Sequence, residues 1–241
     1  MGRQKVAFLG DSMTQKRGET VCFWEYLQEM IHIEPLVYGI SGRQWDEKGI
    51  FQQAQKLKAE HGEQIDAIII FAGTNDYNHN TPLGEFFTEG VKETNVNGVM
   101  MPRKYRTFEE NNDTFCGRIN RVLGFLKENF PQQQIIILTP LHRAYATFKE
   151  TNVQPDENFA NALGLYLEDY VEMLQRAGSL WAVPVINLHT ISGLYPLAEA
   201  HGRYFNNEET DRLHLSSLGN QRLAETIRYQ LLSLPASFVC P

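Results

Sequence analysis

Four short clusters, spread along 241 residues, hold the residue types that acyl transfer needs. The first is Gly10-Asp11-Ser12-Met13-Thr14, directly after an apolar run. A serine there faces the ligand crevice, with its backbone N–H free as N–H groups at a helix start are. Its hydroxyl is a weak nucleophile until a neighbouring base takes the proton. The other reading is a helix N-cap, a position that Ser and Asp fill routinely. The second cluster is Gly39-Ile40-Ser41-Gly42-Arg43. Glycine lets backbone approach a ligand closely and point an N–H at an anion, or it makes a plain strand-to-helix turn. The third is Gly73-Thr74-Asn75-Asp76, where Asn75 can aim an amide into the crevice as an oxyanion donor. Gly, Asn and Asp are turn formers as well. The last is Asp211-Arg212-Leu213-His214, followed by Leu215-Ser216-Ser217. Asp and His three apart, in a turn before a helix, can pair, leaving the second imidazole nitrogen as a general base. A capped helix with a surface histidine is the alternative.

These clusters need elements that bring them to one place. Apolar runs at 6–9, 36–38, 67–71, 135–138 and 183–187 read as short strands covered on both faces. Helical patterns alternate with them at 23–31, 45–60, 114–129, 158–177 and 217–232. In the third, Phe115, Ile119, Val122, Leu123 and Leu126 fall on one face. Asn129-Phe130-Pro131 stops that helix, and Gly178 ends the next. The alternation predicts a three-layer α/β/α sandwich around a five-stranded parallel sheet, flavodoxin-like in kind, with right-handed crossovers. In such folds ligands sit outside the carboxyl ends of the strands, where the first three clusters stand.

The stretch 77–112 breaks the rhythm. It carries Pro82, Gly84, Gly90, Gly98 and Pro102, with two strand-like pieces around Asn97-Gly98, a favoured hairpin turn. It reads as an insertion within a single domain spanning 1–241, an irregular lid or hairpin expected to border the site and shape the alcohol side of the substrate. No internal repeat is visible.

Composition narrows the function classes. There are 22 basic and 29 acidic residues, a net charge of −7, which argues against nucleic-acid or anionic-membrane binding. No apolar run approaches the ~18 residues of a membrane span. Cys22, Cys116 and Cys240 imply neither a disulfide framework nor a zinc pair. A strand-like run begins directly after Met1-Gly2-Arg3-Gln4-Lys5, leaving no room for a signal peptide. A cytoplasmic location is the default expectation, or a periplasmic or secreted one if a leader has been trimmed. Gly2 does not match a myristoylation signal, because Val6 stands where Ser or Thr is required.

Taken together and in order, Gly10-Asp11-Ser12-Met13, Gly39-Ile40-Ser41-Gly42, Gly73-Thr74-Asn75-Asp76 and Asp211-x-x-His214 resemble the blocks of the SGNH (GDSL-type) hydrolase family. The family usually has an aliphatic residue at the position of Met13. The resemblance implies an ester hydrolase without a cofactor or metal. It makes Ser12 the nucleophile, His214 the general base and Asp211 the residue that orients His214. The oxyanion hole would be the Ser12 N–H, the Gly42 N–H and the Asn75 amide. Asp11 and Asp76 are expected to be structural.

Substrate residues are less marked. His142 and Arg143 follow the fourth strand, after Thr139-Pro140, where Arg143 would bind a carboxylate, phosphate or sugar hydroxyl, or pair with a nearby acid. Trp45 and Tyr77 would stack on a sugar or acyl chain, or simply pack. Histidines 32, 61, 79, 142, 189 and 201 share no metal-ligand spacing. A small-molecule short-acyl ester, such as an acetylated carbohydrate, is the expected substrate. A lysophospholipase or thioesterase, a noncatalytic carbohydrate-binding module and a flavodoxin-like nucleotide binder are the competing readings.

Overall fold

The computed structural model describes residues 3–234; Met1, Gly2 and Cys240 lie outside them. In chain order the chain forms β1 (Gln4–Gly10), α1 (Phe23–Met30), β2 (Ile33–Val37), α2 (Ile50–His61), β3 (Ala67–Phe71) and α3 (Thr74–Asn78). Then come β4 (Phe87–Val96), β5 (Val99–Phe108), α4 (Phe115–Asn129), β6 (Gln134–Leu138), β7 (Ala146–Lys149) and β8 (Asn152–Gln154). The remainder is α5 (Leu167–Trp181), β9 (Val185–Ile186), α6 (Leu188–Ile191), β10 (Phe205–Asn207), β11 (Asp211–Leu215) and α7 (Ser217–Ser233).

The central sheet has the order β2-β1-β3-β6-β9, and every pairing in it is parallel. Successive side chains in a strand point to opposite faces, and this alternation divides the core in two. Ala7, Leu9, Ile68, Ile70, Ile135 and Ile137 pack under α2, α4 and α5. Val6, Phe8, Ile69, Phe71, Ile136 and Leu138 pack against α1 and α7. The expected three layers are therefore present. Pro35 is accommodated because β2 is an edge strand.

Two elements begin later than the apolar patterns indicate. The helix expected from 158 starts at Leu167, because Asn161 Oδ1 accepts the N–H groups of Leu163 and Leu165 and folds the preceding chain into a turn. The helix expected from 45 starts at Ile50, behind Gly49. Ser12 caps no helix: the N-cap of α1 is Cys22.

The apolar pattern predicts no second sheet. One exists, β10-β11-β7-β8, antiparallel and made of strands three to five residues long. Such pieces are too short to display a period. It changes the setting of Asp211 and His214, which stand on β11 and not in a turn.

The insertion is a two-stranded hairpin. β4 and β5 pair from Phe87–Phe108 to Val96–Val99, with the Asn97-Gly98 tip at positive φ. Most of the hairpin is exposed. At its base Phe108 stacks on Phe87 (4.7 Å between ring centroids) and on Trp181 of α5 (4.2 Å).

Candidate active site

The end of β1 is clamped before it reaches Ser12. The buried Gln53 side chain accepts from the Gly10 N–H at 2.8 Å and donates to the Gly10 carbonyl at 2.9 Å. A side chain at Gly10 is impossible, since its Cβ would stand 2.7 Å from the Phe71 carbonyl oxygen. Beyond Gly10 the chain makes a single turn, with Thr14 and Gln15 N–H donating to the Asp11 carbonyl. That turn leaves Ser12 at the crevice.

Strand β11 brings the partners. Ser12 Oγ lies 2.9 Å from His214 Nε2, across 202 positions of sequence. His214 Nδ1 lies 3.0 Å from Asp211 Oδ2 and 3.1 Å from Oδ1. With Nδ1 protonated toward Asp211, Nε2 is left to accept the Ser12 O–H. Asp211 is held in turn by the backbone N–H groups of His214 (3.0 Å) and Leu213 (3.3 Å), and by Asn206 Nδ2 at 3.0 Å. Burial works to raise the Asp211 carboxyl. The hydrogen bond and charge of His214, with the backbone and Asn206 donors, outweigh it and hold the group below its ordinary value. All three side chains are buried, Ser12 being 8% exposed.

The expected oxyanion donors follow the ends of β1, β2 and β3. Among the described residues no acceptor engages the Ser12 or Gly42 N–H. Gly42 takes φ +76°, a conformation that favours glycine. Asn75, in the first turn of α3, donates its amide to Asp11 Oδ2 at 3.0 Å and to the Arg43 carbonyl at 3.1 Å. Asp11 also accepts from the Met13 N–H at 2.9 Å. Burial pushes the Asp11 carboxyl up to about 7, against the Met13 and Asn75 hydrogen bonds. Burial likewise lifts Asp76 to about 7, against the nearby Arg118 guanidinium. Asp76 lies 3.0 Å from Arg118 Nη1 and accepts from the Trp45 N–H, a packing position as expected.

The expected substrate contacts fare differently. Trp45 is 0% exposed and belongs to the core, so it cannot stack on a ligand. Tyr77 is buried, edge-on to Tyr170, with its hydroxyl donating to the Phe159 carbonyl. Arg143 is 1% exposed and forms no ion pair among the described residues. Its guanidinium instead donates to Thr74 Oγ1, Asn78 Oδ1 and Gln154 Oε1, tying α3 to β8. All three are taken up by packing around α3: the Trp45 N–H donates to Asp76, Tyr77 stands on that helix, and Arg143 bonds Thr74 and Asn78. His142 alone of the four reaches the crevice, at a recess shared with Asp11, Met13 and Leu213. No residue of β4 or β5 lines either recess beside Ser12, which corrects the expectation that the insertion borders the site.

Two contacts had no sequence signal. Asn206 is one. Phe148 of β7 is the other, 40% exposed with its ring centroid 5.4 Å from that of His214. Both arrive through the unforeseen second sheet.

The fold recurs in solved structures. A Lactobacillus plantarum protein superposes with a TM-score of 0.74 at 22% identity, covering 99% of this chain and 100% of that one. A protein described as a possible lipase from Chitinophaga pinensis gives 0.68 at 17%, covering 95% and 99%. The M. smegmatis aryl esterase gives 0.56 at 14%, covering 96% and 99%. At these identities the likeness carries the fold. A search of curated proteins finds no match. The profile of the GDSL-like lipase/acylhydrolase family matches residues 8–222, nearly the whole described chain with all four clusters inside it, and the protein belongs to that family of ester-bond hydrolases.

Proposed function

We propose that the chain hydrolyses short-acyl esters through Ser12, His214 and Asp211. The observation that carries this reading is Ser12 Oγ at 2.9 Å from His214 Nε2, with Asp211 on the opposite ring nitrogen. As Ser12 Oγ attacks the acyl carbon, its proton passes to His214 Nε2, and Asp211 stabilises the imidazolium. The carbonyl oxygen becomes an oxyanion facing the Ser12 and Gly42 N–H groups and the Asn75 amide. The Asn75 amide is already bonded to Arg43 and Asp11, so it shares a hydrogen with the oxyanion. His214 then protonates the departing alcohol, and water repeats the sequence on the acyl-serine.

The alcohol must leave beside His214, which assigns it the recess of about 150 Å³ that contains Ser12 and His214. Gln15, Arg17, Asn206 and Asn220 line that recess, polar groups suited to a hydroxylated alcohol such as a sugar. The acyl group would enter the neighbouring recess of about 10 Å³ bounded by Met13, Phe71, Ala72, Leu141 and Leu213. It is a shallow, largely apolar recess, which favours a small acyl group. A fluorophosphonate probe should label Ser12 and nothing else, and turnover of p-nitrophenyl esters should fall steeply beyond acetate and propionate. Absence of labelling on folded protein would refute the serine mechanism. A maximum at long chains would refute the short-acyl assignment.

A further inference from the structure

We infer that His142, Glu157 and His189 form a binding site for a first-row divalent metal ion of the zinc class, at the rim of the acyl-side recess. Fifteen and thirty-two positions separate successive members of this set, so no spacing pattern announces it. The residues come from the chain after β6, the loop between β8 and α5, and α6. The fold nevertheless sets one ligand atom from each within 4.8 Å of the others.

Two details distinguish this group from a chance hydrogen-bonded cluster. First, the Nδ1 atom of His189 is buried without a hydrogen-bond partner. A buried polar atom of that kind is costly unless something is to bind it. Second, the two imidazoles lie face on, 3.7 Å between centroids and tilted by 34°. Stacked in this way, both rings offer a nitrogen within 4.8 Å of a Glu157 oxygen.

Glu157 supplies the charge. Its Oε2 is fixed by the Arg143 N–H at 2.8 Å, and its Oε1 meets His142 Nδ1 at 2.6 Å. The carboxylate is therefore oriented from behind, as ligating carboxylates are. Two imidazoles and one carboxylate suit zinc and its first-row neighbours, whereas Mg²⁺ prefers all-oxygen shells. Bonds of ~2.0–2.1 Å to a tetrahedral ion place ligands about 3.3 Å apart. The ion would displace the proton shared by His142 and Glu157 and draw His189 inward by a modest side-chain rotation. The fourth position is left to water. The ion would join three segments that flank the recess, and no step of ester hydrolysis is routed through it.

The test uses full-length protein stripped with a chelator and titrated with zinc chloride. One ion per chain should bind, melting temperature should rise with zinc and not with magnesium, and a crystal measured at the zinc edge should show an anomalous peak between the three side chains. His189→Ala and Glu157→Gln should each weaken binding at least about tenfold, while circular dichroism and urea unfolding report that they are folded. Failure of wild-type protein to bind zinc, a peak elsewhere, or undiminished binding in both folded variants would overturn the site. Ser12 labelling is independent of all three outcomes, so failure here and failure of the serine mechanism are separately visible.

Discussion

Asn75 Nδ2 donates to Asp11 Oδ2 at 3.0 Å, so the residue preceding the serine of the first block anchors the side chain of the third. Asp11 thus does more than shape its own turn. It holds across the crevice the amide assigned to the oxyanion.

Asn75→Ala should therefore lower kcat by ~10²–10³, the usual effect of one lost oxyanion donor, and leave KM nearly unchanged, because the bond is used chiefly in the transition state. Asp11→Asn keeps the size of the side chain and loses a carboxylate acceptor. It should reduce kcat by about tenfold, some 1.4 kcal/mol of barrier. Steady-state kinetics on p-nitrophenyl acetate check both. Normal kcat with a raised KM in the Asn75 variant would make Asn75 a ground-state substrate contact.

Asp11 also predicts a pH effect on stability. Its carboxyl rises from 3.8 in the reference state to about 7 in the fold, because burial disfavours the charge. A raised folded pKa favours the protonated form, so this stabilising contribution is complete below about 3.8 and lost as pH climbs through about 7. The loss is on the order of 4 kcal/mol from a shift of that size. Asp11→Asn removes the titration. Urea unfolding should show the variant gaining on wild type between pH 5 and pH 8; an equal difference at both pH values would contradict the buried, protonating carboxyl.

Asn206 is exposed, and its amide reaches Asp211 Oδ2 at 3.0 Å. Removing it leaves the fold intact but withdraws one of the donors that keep the Asp211 pKa low. Asn206→Ala should lower kcat severalfold without changing KM on a small ester, and move the acid limb of the kcat profile to higher pH. The pH profile separates positioning from bulk destabilisation. An unshifted limb would leave Asn206 as an ordinary surface residue.

Most of the central sheet was legible because its inner strands are apolar runs flanked by turn residues, as in Ala67–Phe71 before Gly73; β2, which carries Glu34 and Pro35, begins three residues before the run expected at 36–38. The first three clusters were legible because strand ends in an open parallel sheet face one crevice; the fourth was legible only as an Asp-x-x-His spacing, since it stands on β11 of the other sheet. What escaped lies in connections. Three-residue strands such as β8 and β10 show no period, so the sheet carrying Asp211, His214 and Phe148 was invisible. Trp45 and Tyr77 were misread for a related reason. Nearness in sequence to a site residue fixes where the backbone starts, not which way the side chain turns. The grouping of His142 with His189 depends on α6, four residues long, which no local pattern announces.

The β4–β5 hairpin yields the last prediction. It leaves the body after α3 and rests on α5 through the Phe87–Phe108–Trp181 stack. Its outer residues are solvent-facing, with Val91 73% exposed. An exposed two-stranded ribbon adds little stability of its own. Replacing 88–107 with a short Gly/Ser linker keeps Phe87 and Phe108, and with them the stack on Trp181. Such a variant should melt near the wild-type temperature, since changes at exposed positions rarely exceed about 0.5 kcal/mol. Its kcat/KM should stay within about twofold of wild type across an ester series, because none of the removed residues lines the recesses beside Ser12. Unequal losses among esters would mean that the ribbon reaches the substrate in solution; a uniform loss with unchanged melting would mean that it governs the site through α3.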